Sequence, residues 1–105
     1  MNMSGQELHQ LLWHKWGCSY DVQVIRIKDK IYFQVMWKYL EQASFPLSET
    51  EYFQHLEQIA NYLNVWGVTE QVQKAIAESR TRPRLGKAIS IPLDLGDRTS
   101  EWIIG

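Results

Sequence analysis

Twice in this chain a serine stands three residues ahead of a glutamate at the head of an apolar stripe: Ser4 with Glu7, and Ser48 with Glu51. The pattern is a capping box. The serine hydroxyl and the glutamate carboxylate each take up a backbone N–H that the first helical turn leaves unpaired, and such a cap stabilises a helix by ~1 kcal/mol. Each box is answered downstream by a glycine, Gly17 and Gly67, able to close a helix in the left-handed conformation. The first helix is expected to begin at about Gly5 and to bury Leu8, Leu11, Leu12 and Trp16. Gln6, Gln10, His14 and Lys15 should then face outward, with Trp13 at the stripe's edge. The second is expected from about Glu49 to Trp66. Its inner stripe is Tyr52, Leu56, Ile59, Ala60, Leu63 and Trp66, and its wet side carries Glu49, Glu57, Gln58 and Asn61. Beyond Gly67, Thr69 is expected to cap a shorter third helix on which Val72, Ala75, Ile76 and Ser79 share a face.

Between the two bracketed helices the apolar period changes from 3.6 to 2. Tyr20, Val22 and Val24 alternate with Asp21 and Gln23, after which Ile25 and Ile27 take the other parity around Arg26. That switch implies a β-bulge, or a strand covered on both faces near its end. Ile31, Phe33, Val35, Trp37 and Tyr39 form a second alternating run, joined to the first through Lys28-Asp29-Lys30, so an antiparallel hairpin is expected with a turn of open type. A hairpin alone is marginal in water and needs further elements on its apolar face. Ala88 to Leu93 supplies a strand that Pro92 confines to a sheet edge, and Thr99 to Ile104, with Trp102, forms a short helix or a final strand. The expected fold is α+β, three helices packed on a small antiparallel sheet in the order α-β-β-α-α-β, within a single domain over 1–105.

Charge is mixed along the chain except at one place. Arg80, Arg82, Arg84 and Lys87 stand together with no acid among them, while the chain as a whole has a formal net charge of -1. Pro83 and Gly86 keep this segment out of a helix interior, so the four cations are expected on an extended loop. The near-zero net charge argues against broad electrostatic binding to nucleic acid or anionic lipid and leaves local patches. No apolar stretch approaches the ~20 residues needed to span a bilayer. The N-terminus lacks the basic and apolar regions of a secretory signal, and the single Cys18 fits a reducing compartment, so a cytoplasmic protein is expected.

No catalytic or metal motif is complete in the sequence. Gly86-Lys87 lacks the earlier glycine and the following Ser or Thr of a phosphate loop, having Thr81 and Ala88 instead. His9 and His14 lie about 140° apart around a helix and cannot share a metal. His14 and Cys18 are separated by the helix stop at Gly17 and would leave zinc short of ligands. Cys18 as a nucleophile would need a neighbouring base, and His55 reads as a solvated or core-edge imidazole. Glu49 and Glu51 are explained by the helix dipole. No enzyme constellation and no cofactor are expected. Of the five Trp and five Tyr, Trp16, Trp37 and Trp66 fall on inward stripes; Trp13, Tyr39, Tyr62 and Trp102 are the candidates for exposure.

These features favour a non-enzymatic binding or assembly module that docks an acidic protein surface through Arg80, Arg82, Arg84 and Lys87, with Trp102 as an aromatic contact. Single-stranded nucleic-acid binding by the same loop is the alternative, followed by an enzyme that holds a small anionic ligand on the arginines. Three blocks carry a resemblance: Val35 to Gln42 with Phe45-Pro46-Leu47; Tyr62-Leu63-Asn64 with Trp66-Gly67; and Arg82 to Ala88 with Ile91-Pro92-Leu93. In that order they resemble a small-protein family of cyanobacteria and plastids catalogued as a domain of unknown function. The resemblance implies a photosynthetic bacterium, the cytoplasm or the cytoplasmic face of the thylakoid, and a partner linked to the photosynthetic apparatus. It brings no catalytic residue with it.

Overall fold

The structure, a computed structural model, describes residues 2–96. Its elements run α1 (Gly5–Trp16), β1 (Tyr20–Ile27), β2 (Lys30–Tyr39), α2 (Glu49–Trp66), α3 (Thr69–Glu78) and β3 (Ile89–Leu93). The fold is α+β. Both capping boxes form, with Ser4 and Ser48 in extended backbone accepting from the N–H of Glu7 and Glu51, and both glutamates returning to the serine N–H. Gly17 and Gly67 close α1 and α2 at φ 71°, a region that disfavours any residue with a Cβ.

The three strands form one antiparallel sheet in the order β1-β2-β3. Pairing aligns Val22 with Val35 and Ile89, and Val24 with Phe33 and Ile91; Ile31 lies opposite Leu93. These residues share the inner face, and with α1, α2 and α3 they enclose one core that includes Leu8, Leu12, Tyr52, Leu56, Leu63, Val72 and Ile76. On the outer face a polar row crosses all three strands. Gln23 donates to Gln34 at 2.6 Å, and Gln34 donates to Ser90 at 2.8 Å. Pro92 sits on the edge strand β3, as a residue without an N–H must.

Several expectations are corrected. The parity switch at Ile25 and Ile27 produces no bulge: pairing runs unbroken from Val22 to Ile27, and Ile27 is 51% exposed on the outer face. The irregularity lies at the other end of the hairpin. Tyr20 pairs with Tyr39 while Val22 pairs with Val35, so Met36-Trp37-Lys38 bow out against the single Asp21. This carries Trp37 off the core, and it is half-buried outside the cluster that holds Trp66. The hairpin turn is the two-residue Lys28-Asp29, with Lys28 at φ 57° in the position that twisted strands require to be left-handed. Thr69 does not cap α3. It is the first helical residue, and its hydroxyl donates to Asn64 Oδ1 at 2.9 Å, while Val68 occupies the cap position without a side-chain bond. The expected helix or strand over 99–104 lies outside the described residues.

Two polar residues of α2 complete the backbone pairing of β1. Tyr52 is fully buried and donates its hydroxyl to the Tyr20 carbonyl at 2.8 Å; the His55 imidazole meets the Val22 carbonyl at 2.6 Å. A buried carbonyl left without a donor costs about 1–3 kcal/mol, so these contacts fix how α2 lies on the hairpin. At the other end of the helix Asn64 clamps the N-terminal segment, accepting from Met3 N–H at 2.9 Å and donating to the Met3 carbonyl at 2.8 Å.

Candidate functional site

The basic segment leaves the end of α3 and crosses the α1–β1 junction. Lys15 donates to the Ala77 carbonyl at 2.9 Å, and the Trp16 indole N–H donates to the Thr81 carbonyl at 3.1 Å. Arg82 is tied down most firmly. Its Nη2 donates to the Tyr20 hydroxyl at 2.9 Å and to the Trp16 carbonyl at 3.3 Å, with the Cys18 sulfur at 3.7 Å and a further contact from Nε to the same Tyr20 oxygen at 3.3 Å. The hydrogen bond to the Tyr20 hydroxyl raises the guanidinium pKa above the ordinary arginine value. Beneath it, Trp16, Tyr20 and Tyr39 meet edge to face at centroid distances of 5.9 and 6.0 Å. Pro83 follows and is buried.

The next four residues form a tight turn. Arg84 N–H donates to the Lys87 carbonyl at 3.1 Å, and Lys87 N–H returns to Arg84 at 2.7 Å. Gly86 takes φ 74°, which a two-residue reversal needs at this point. Leu85 stands at the tip and is 89% exposed. The expected extended loop is thus an ordered projection, and its four cations are not equivalent. All four are exposed, but Arg82 is anchored by its bonds to Tyr20 and Trp16, whereas Arg80, Arg84 and Lys87 have no described carboxylate in ion-pair range. Among the described residues the one ion pair is His55 with Asp21, at 3.7 Å. Desolvation pushes the Asp21 carboxyl above the usual range, opposed by the neighbouring imidazole and the Val22 N–H. Trp102 lies outside the described residues.

Leu85 was not singled out from the sequence, where a lone leucine between cations carries no periodic signal. A second constellation also escaped it. His9 Nε2 lies 2.8 Å from the buried Ser19 hydroxyl, and Ser19 N–H donates to Glu41 Oε1 at 3.0 Å. Burial lowers the His9 pKa below the ordinary imidazole value, with Glu41 acting in the opposite sense. Although serine, histidine and glutamate meet here, Ser19 is only 2% exposed and the glutamate bonds the serine backbone instead of the imidazole. That arrangement orders a loop and does not activate a nucleophile. Of the remaining sequence candidates, Trp13 is 46% exposed beside His9, Tyr62 stacks on Trp66 at 5.4 Å, and Tyr39 is half-buried against Tyr20.

The clefts at the α1–α3 and α1–α2 seams draw no lining from residues 80–87. No group of three His, Cys, Asp or Glu suited to a metal occurs among the described residues, and no described helix is long and apolar enough to cross a membrane.

Comparison with known proteins agrees with the fold. The solution NMR structure of the Alr2454 protein from the cyanobacterium Nostoc sp. strain PCC 7120 is similar, with 64% sequence identity and a TM-score of 0.88, covering 98% of this chain and 99% of that one. No curated protein matches the sequence. A family model described as a domain of unknown function, DUF3067, matches residues 6–103, and the chain belongs to that family.

Proposed function

We propose that this protein is a non-enzymatic docking module of a photosynthetic bacterium. It engages an acidic protein surface through Arg80, Arg84 and Lys87 set around Leu85, with Arg82 holding the projection in place. The observation that carries this reading is the tip itself: a leucine 89% exposed on a hydrogen-bonded turn, flanked by cations with no described carboxylate partner. Exposed cations steer encounter, and a central apolar side chain supplies what desolvation can add on contact. Nucleic-acid binding is less favoured because Trp16 and Tyr20, the described rings bonded to the segment, are packed against each other and the core instead of offering a free face for base stacking.

Capture from a cyanobacterial lysate tests the reading by comparing the original protein, a triple variant Arg80→Ala, Arg84→Ala, Lys87→Ala, and Leu85→Ser. The expected result is one protein with an acidic surface that is retained by the original, released by salt and lost with either variant. With that partner purified, the triple variant should associate roughly tenfold more slowly at low salt and with a flatter salt dependence. Identical captures and rates would overturn the proposal. A polarisation titration with a labelled oligothymidylate covers the alternative, in which three phosphate contacts would give a logarithmic salt slope of about -2.

A further inference from the structure

The α1–α2 seam carries charge of the opposite sign. Two neighbouring clefts, of about 790 and 300 Å³, share Glu49 and Phe53 in their linings and together make up the groove along this seam. Among the described residues its lining includes Glu41, Glu49 and Glu57 and no lysine or arginine. Residues 49, 53 and 57 are spaced four apart and lie on one face of α2, which places the two terminal carboxylates about 12 Å apart along the helix. The floor is aromatic. His9 lies 5.0 Å from Phe53 and stacks on Trp13 at 6.0 Å, centroid to centroid, and Trp13 leaves nearly half its surface open.

We propose that this groove binds a basic polypeptide segment, with arginine or lysine side chains lying over Trp13 and between the carboxylates of Glu41, Glu49 and Glu57. A cation over an indole face and beside carboxylates gains from both, and arginine adds planar stacking. Burial keeps His9 neutral at physiological pH, so the one titratable base in the lining does not repel an incoming cation. The spacing of the acids suits a chain more than a single small cation. In extended conformation four residues span about 13 Å, and alternate side chains point to one side, so basic residues at every second position would meet the acids in turn. Negative lining excludes nucleic acid and anionic lipid as occupants. The groove shares no lining residue with the basic projection, so this inference stands apart from the docking function proposed above.

The test is an NMR titration of the ¹⁵N-labelled protein with an acetylated, amidated hexapeptide of alternating arginine and alanine, and with its glutamate counterpart. The arginine peptide is expected to give saturable shifts at the amides of His9, Glu41, Glu49 and Phe53 and at the Trp13 indole N–H. The double variant Glu41→Gln, Glu49→Gln should weaken that binding by roughly tenfold or more, and Trp13→Ala should weaken it while Trp13→Phe restores part. Glutamine at 41 keeps a carbonyl oxygen for the Ser19 N–H, so the fold is retained and a superposable spectrum verifies it. Glu70→Gln, on α3 outside the groove, should bind as the original does. Overturning results are an absence of saturable shifts at millimolar peptide, equal binding by the double variant, or equal shifts with the glutamate peptide. Self-association in sedimentation, abolished both by Arg84→Ala, Lys87→Ala and by the double glutamine variant, would support the proposal and identify the segment as the basic turn of a second copy.

Discussion

Arg82 and Arg84 are separated by a single proline and carry the same charge, yet their side chains have different work. The first reaches the Tyr20 hydroxyl and the Trp16 carbonyl; the second is left in solvent beside Leu85. The sequence could group these cations but not divide them, because the dividing contact joins residues 62 positions apart. His9 shows the same limit, since its environment is set by Ser19, Trp13, Phe53 and Glu41 from four separate stretches of chain. A testable pH dependence follows from its lowered pKa. The unfolded imidazole titrates at the ordinary value of about 6.5, and the folded one lower because burial penalises the charged form. The unfolded state therefore takes up a proton first as pH falls. The stability that neutral His9 contributes is complete above about pH 6.5 and is lost as pH drops towards the folded pKa. Urea midpoints measured from pH 7.5 down to 5 should fall less steeply for His9→Gln than for the original, and parallel profiles would refute the assignment.

At the scale of elements the legible parts were those with local causes. Two capping boxes and two glycines bounded α1 and α2, and all six residues expected on the inner stripe of α2 are buried. Where a contact from elsewhere competed, local reading missed. Thr69 had a capping residue's chemistry, but Asn64 drew its hydroxyl away, and the bulge in the hairpin fell at Asp21, where Tyr52 and His55 of α2 reach the β1 carbonyls on either side. Gly5 is another such case, a glycine in the first turn of a helix with no local reason to be one. Its N–H meets Glu57 Oε1 at 2.6 Å, and a Cβ there would lie 2.6 Å from the Glu57 backbone nitrogen and 2.8 Å from its Cα. Alanine is favoured over glycine within a helix by up to about 1 kcal/mol. Here the clash is with backbone and cannot be relieved by a rotamer, so the two helices must separate. Gly5→Ala should therefore destabilise by about 1–3 kcal/mol in urea unfolding, and a stabilised variant would contradict this packing.

At the scale of the fold, one core draws on every described element, and β2 is paired on both sides with Phe33 and Val35 inaccessible to solvent. Native-state hydrogen exchange should find the slowest amides in central β2 and in the Leu56 to Leu63 stretch of α2, opening together, with the residues of the 84–87 turn exchanging orders of magnitude faster. Equal protection of the turn would mean that it belongs to the core. The charge map emerges only at this scale as well: a chain of net charge -1 gathers four exposed cations on one segment and three carboxylates along one groove. By itself the sequence determined the identity and order of the elements, the α2 stripe, the edge position of Pro92 and the presence of a basic cluster, because capping, periodicity and proline chemistry act over a few neighbouring residues. Tertiary structure alone decided which arginine is an anchor, where the hairpin bulges, why Gly5 must be glycine and that an acidic aromatic groove exists. Each of these depends on side chains and backbone brought together across tens of residues, and no local pattern encodes that proximity.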